Sequence, residues 1–220
     1  DSSTFKQVFE QFTQIKENPL IRNFIFYAFI WTCLSTALWF FQLEIINNFT
    51  NDSAVKTQIF GRADSIVPII TLATQLLLTS YFLRSKYLGI RFVLTMYGVL
   101  FTVAFLAVSG YFSDYLLSAS GITLFLILQG TMRPFEYGLN KPAREAVFTT
   151  LSTKEKYKST VFIDTFTNRF GDATGGLLFN SLLSFGLLLY AAPLAIIPLA
   201  IFLINLGWSI SKDIDPVNSK

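Results

Sequence analysis

The chain has no histidine, a single cysteine and few charges, with only 14% of its 220 residues being Asp, Glu, Lys or Arg, where a soluble domain carries about a quarter. The missing histidine excludes His-ligated metal centres, Ser-His-Asp triads and imidazole acid–base chemistry. Cys33 lies inside an apolar run with no disulfide or CxxC partner, and reads as a buried packing residue. Neither GxxxxGK[ST] nor GxGxxG occurs, so ATP hydrolysis is not expected, although separate Lys and Arg residues could still meet a phosphate. No catalytic group, cofactor or metal is expected. The sequence pI near 9.0 comes from 17 scattered Lys and Arg rather than from one basic face, which argues against a nucleic-acid partner. No basic n-region with a short apolar segment and cleavage site opens the chain, so no signal peptide is read; the polar start at Asp1 is expected to lie inside a longer protein.

What the chain has in quantity is apolar surface: 52% hydrophobic residues, among them 24 Phe. A hydrocarbon core about 30 Å thick takes ~20 apolar residues per helix. The pattern predicts an all-α membrane protein with six transmembrane helices, at about 19–46, 60–83, 92–108, 115–137, 161–189 and 193–211. Before them, residues 1–18 place Phe5, Val8, Phe9, Phe12 and Ile15 at helical spacing opposite Lys and Glu, the pattern of an amphipathic surface helix. Residues 212–220 form a polar tail. Membrane lipid is therefore one partner.

Basic residues are enriched in cytoplasmic loops. If the chain starts inside, 14 of its 17 Lys and Arg fall on the cytoplasmic side, Arg133, Lys141 and Arg144 included; Lys56 and Arg62 fall outside and Arg169 lies within a span. Both termini are predicted to be cytoplasmic.

Charges at membrane depth are costly unless they face a partner or a cavity, so they are the candidate site. In the fifth span, Asp164, Asn168 and Asp172 recur every four residues, and Arg169 is three residues from Asp172. This polar face could line a solute or coupling-ion cavity, or its Arg169–Asp172 pair could only lock two helices together. Gly171, Gly175 and Gly176 beside it invite close helix packing. Asp64 in the second span and Glu136 at the end of the fourth complete the candidate cavity. Arg62 is explained by snorkelling to the interface, and Lys141 and Arg144 by anchoring the topology. Pro68 marks an expected kink.

Two motifs carry a family resemblance: EYGLNKPAREAVF, Glu136 to Phe148, and KYKSTVFIDTFTNRFGDATGG, Lys156 to Gly176. Together with the opening FKQVFEQFTQIKENPLIRNFIFYAFIWTCLSTALWFFQLEI and the basic loop LRSKYLGIR, they resemble the C-terminal six-helix half of a major facilitator superfamily protein. Within that superfamily they are similar to the bacterial relatives of the ATP:ADP antiporter, or nucleotide translocase, family. The resemblance implies a half bundle of a secondary active transporter, working by alternating access on a small charged solute with a missing N-terminal half, in a bacterial inner membrane. In that family lysines stand where this chain has Glu136 and Asp172, and a glutamate where it has Thr36. The acidic replacements weigh against a nucleotide polyanion. The other expectation is a carrier-like module that has lost transport and serves as anchor, sensor or assembly partner.

Overall fold

A computed structural model describes residues 18–83, 86–113 and 121–214; the expected surface helix over 1–18 and most of the tail lie outside them. The described residues are helical. Helix α1 is Pro19–Phe49 and α2 is Ser53–Thr74, which continues through a π-helical turn, Gln75–Thr79, into α3, Ser80–Leu83. Helix α4 is Lys86–Phe112. Helix α5, Gly121–Phe135, runs through a second π turn, Glu136–Asn140, into α6, Lys141–Phe148. Helix α7, Thr153–Phe162, passes a third, Ile163–Thr167, into α8, Asn168–Ser184, and α9 is Ala191–Asp213. The described residues thus make six helical rods.

Local chemistry explains the ends. Asn18 Oδ1 accepts from Leu20 N at 3.0 Å with Pro19 in the first position, and Asp52 Oδ1 accepts from Ala54 N at 2.8 Å. Ser152 and Glu155 form a reciprocal capping box before α7. The fifth rod stops at Ser184 rather than near 189 because Gly186 takes φ +82° and turns the chain toward α9.

Four rods are long and apolar enough to cross a membrane: Pro19–Phe49, Ser53–Phe82, Gly89–Phe112 and Ala191–Asp213. The fourth and fifth rods, which carry charges along their length, are not among them. Helix α2 buries only Ile59, Ala63 and Val67, while Ile69, Leu72, Leu76, Leu77 and Tyr81 along the same rod are exposed. An apolar face of that extent belongs against lipid or another protein.

Helix α1 is the hub, with Phe24, Tyr27, Leu34, Phe41 and Ile45 fully buried. Phe41 meets Phe105 of α4 and Phe179 of α8 edge-on. Cross-rod bonds fix the directions. Thr32 and Thr36 of α1 bond Asn168 and Asp172 of α8 at a constant offset, so these rods are parallel. Gln42 and Tyr27 bond Gln129 and Asn140 in reversed order, so the α5 rod is antiparallel to α1. Asp64 and Gln75 bond Arg133 and Tyr137, making the α2 and α5 rods parallel. Gly98 packs on Ile204 and Gly207 on Leu94, an antiparallel α4–α9 pair. Asn23 Nδ2 donates to Asp213 Oδ2 at 3.0 Å, placing the start of α1 beside the end of α9. The six rods therefore alternate in direction, and both described ends lie on one side.

Candidate functional site

Three stripes of residues build the site. Trp31, Ser35, Leu38, Trp39 and Gln42 recur along one face of α1, and Gln129, Met132, Arg133 and Glu136 along one face of the α5 rod. With Asp64 of α2 and Tyr97 and Phe101 of α4 they enclose a cavity of about 440 Å³, within the range of small-molecule sites. The two antiparallel faces meet at an amide pair, Gln129 Nε2 donating to Gln42 Oε1 at 2.7 Å. Gln129 is only 4% exposed, and its own carbonyl oxygen has no partner. A buried acceptor left open is costly, which marks it as a point where a ligand or water would bond.

The charged groups are arranged around this cavity. Arg133 Nη1 meets Asp64 Oδ1 at 2.6 Å in an exposed pair. Glu136 is held by Asn140 Nδ2 at 2.6 Å and Arg144 Nη1 at 3.5 Å, with both charged side chains 12% exposed. The position of Glu136 follows from the second π turn, which inserts one residue into the helical ladder. Carbonyls at that turn are taken by the first π turn: Gln75 Nε2 donates to Tyr137 O at 3.1 Å, and the Thr79 hydroxyl to Gly138 O. Pro142, lacking an N–H, leaves the Gly138 carbonyl without its usual helical donor. Gly138 is needed there because a Cβ would lie 2.6 Å from Thr74.

The fifth-rod residues do not line this cavity; they sit at the α1–α8 seam. Asp172 Oδ1 accepts from Thr36 Oγ1 at 2.8 Å, and Thr32 Oγ1 donates to Asn168 Oδ1 at 3.2 Å. Asn168 Nδ2 lies 3.4 Å from Asp164 Oδ1. Arg169 pairs with Asp172 at 3.9 Å along the same helix and is 82% exposed. The pair thus runs along one helix and does not act as the lock that was one of its two readings; the bond to Thr36 joins α8 to α1 instead. Gly171 and Gly175 allow this seam: a Cβ on Gly171 would come 2.8 Å from Thr32 Cβ, and one on Gly175 would press on the Cys33 carbonyl. Gly176 faces only the edge of the Phe40 ring, 3.3 Å away.

Arg144 joins the two groups. Its Nη1 reaches Glu136, its Nη2 lies 4.0 Å from Asp164, and its guanidinium lies over the Trp31 ring at 5.0 Å. Arg144, expected from the sequence to anchor the topology, is largely covered because two carboxylates and a ring draw it inward. Arg133, counted with the loop charges, likewise lies near the middle of its rod against Asp64. The aromatic and amide lining was not anticipated, since Trp31, Tyr97, Gln42 and Gln129 in apolar runs look like packing. The available signal was two isolated glutamines within spans.

Among the described residues no three His, Cys, Asp or Glu converge to hold a metal ion. The arrangement offers four carboxylates and three guanidiniums, most of them open to the surface at mid-rod, beside an aromatic cavity. No family model matches this chain, and no curated protein or solved structure matches it at a significant level.

Proposed function

We propose that this chain is the C-terminal six-helix half of a secondary active transporter of the major facilitator type, related to the ATP:ADP antiporters and moving a small solute by alternating access. The supporting observation is the placement of charge. Asp64, Arg133, Asp164, Arg169 and Asp172 are exposed in the middle half of their rods, a depth at which charges face water or a protein partner rather than lipid. An opposing six-helix half would enclose these residues and the 440 Å³ cavity together.

Alternating rods and the Asn23–Asp213 contact bring both described ends to one end of the bundle, which supports termini on one face of the membrane. With Arg133 and Arg144 withdrawn from the loop count, 12 of the 17 basic residues remain on that face and Lys56 and Arg62 on the other. That bias makes the shared face cytoplasmic, in a bacterial inner membrane. The solute is a small metabolite other than a nucleotide, because four site carboxylates outnumber three guanidiniums.

The test is uptake into proteoliposomes by the full-length protein, with Asp172→Asn as the diagnostic variant. Asparagine retains the oxygen that accepts from Thr36, so the variant should fold and lose coupled uptake. Unimpaired uptake would remove Asp172 from the mechanism, and absence of flux for nucleotides, amino acids and organic cations alike would favour a transport-inactive module.

A further inference from the structure

We propose that the cavity binds a zwitterionic α-amino acid with an apolar, ring-bearing side chain; this deepens the reading of the cavity as a solute site. The argument starts from its charges. The lining holds one cation, Arg133, and two anions, Asp64 and Glu136, with Arg144 against Glu136 from behind. The site is therefore internally neutral. A monoanion that captured Arg133 would leave Asp64 without its partner beside Glu136. A monocation would find both carboxylates already matched by guanidiniums. A zwitterion meets both signs at once, exchanging one internal ion pair for two with the ligand.

The geometry supplies a place for each end. Arg133 contacts Asp64 through Nη1, and the planar guanidinium fork presents further donors suited to a carboxylate. One helical turn away, on the same face of the α5 rod, the unpaired Gln129 Oε1 lacks a donor. An ammonium would supply it once this covered amide oxygen turns into the cavity, where Asp64, released from Arg133, is the counter-ion on the same lining. Trp31 and Tyr97 line the remaining wall, apolar surface that a ring-bearing side chain would cover. Gln42 holds the Gln129 amide through one N–H, and the covered Gln129 oxygen is left without a donor.

The experiment compares three probes with the full-length protein in detergent: L-phenylalanine, phenethylamine, which lacks the carboxylate, and 3-phenylpropionate, which lacks the ammonium. Binding is read by calorimetry and by thermal stabilisation. L-phenylalanine should bind at least tenfold more tightly than either analogue, and Gln129→Leu should narrow its advantage over 3-phenylpropionate. Equal binding of either analogue, or no binding of the amino acid at millimolar concentration, would overturn the proposal. The comparison uses the unaltered protein, so a poorly folding variant does not decide it. Proteoliposome flux separates the two readings: phenylalanine binding without flux upholds this site and removes transport, whereas flux of another solute without phenylalanine binding does the reverse.

Discussion

Replacing Gly175 by alanine tests the α1–α8 seam most directly. The new Cβ would press on the carbonyl of Cys33 and lie 2.9 Å from Thr36 Cβ, where carbon atoms prefer about 3.5–4.0 Å. The helices must therefore part by roughly 1 Å at this point. Thr36 Oγ1 to Asp172 Oδ1 is 2.8 Å and Thr32 Oγ1 to Asn168 Oδ1 is 3.2 Å, so the same displacement stretches both beyond bonding range. Overpacking costs about 1–3 kcal/mol, and each interhelical bond in a membrane about 0.6 kcal/mol. Against this stands a helix-propensity gain of about 0.8–1 kcal/mol for Gly→Ala, leaving a net loss of about 1–3 kcal/mol. Gly61→Ala is the control, since a Cβ there meets nothing within 4 Å and only the propensity gain remains. Reversible denaturation in mixed micelles would measure both. Equal stability of the two variants would refute the close-contact account of the seam.

Removing Arg144 should be among the most damaging single changes, because it strands Glu136 where both side chains are 12% exposed; breaking a buried pair costs about 3–5 kcal/mol. Arg144→Met combined with Glu136→Gln should recover part of that loss in denaturation measurements, and strictly additive effects would show that the two side chains are not coupled. Asp64→Asn, by contrast, breaks an exposed pair and should change stability by less than ~1 kcal/mol while weakening solute binding measured by calorimetry. Gly186→Ala should destabilise the α8–α9 turn by about 1 kcal/mol or more, since φ +82° strains any side chain; an unchanged melting temperature would count against that turn.

Long apolar runs made four of the rods legible, because crossing a membrane demands length and hydropathy, and both are properties of one segment. The close-packing role of Gly171 and Gly175 was legible for a similar reason: small residues at helical spacing have few other uses in an apolar rod. The cavity was less legible. Gln42 and Gln129 are 87 positions apart, and nothing in either segment announces that their amides meet. The partners of Arg144 are not legible, because a basic residue near a span end looks the same whether it faces water or turns inward to Glu136 and Asp164. The fifth-rod polar face is visible in the sequence as a four-residue recurrence, but its neighbours depend on which face of α1 meets α8. Trp31 and Thr32 are adjacent in sequence yet serve the cavity and the seam respectively, a division set by about 100° of helical rotation.

The two wide turns that face one another, Gln75–Thr79 and Glu136–Asn140, have a mechanical consequence. Each stores one surplus residue in an otherwise regular screw. Were the second turn to tighten and pass that residue along the rod, everything beyond it would swivel by about 100°. The Thr79 and Gln75 side chains would lose the carbonyls they hold, and Arg144 would be carried away from Glu136 as on a turning spindle.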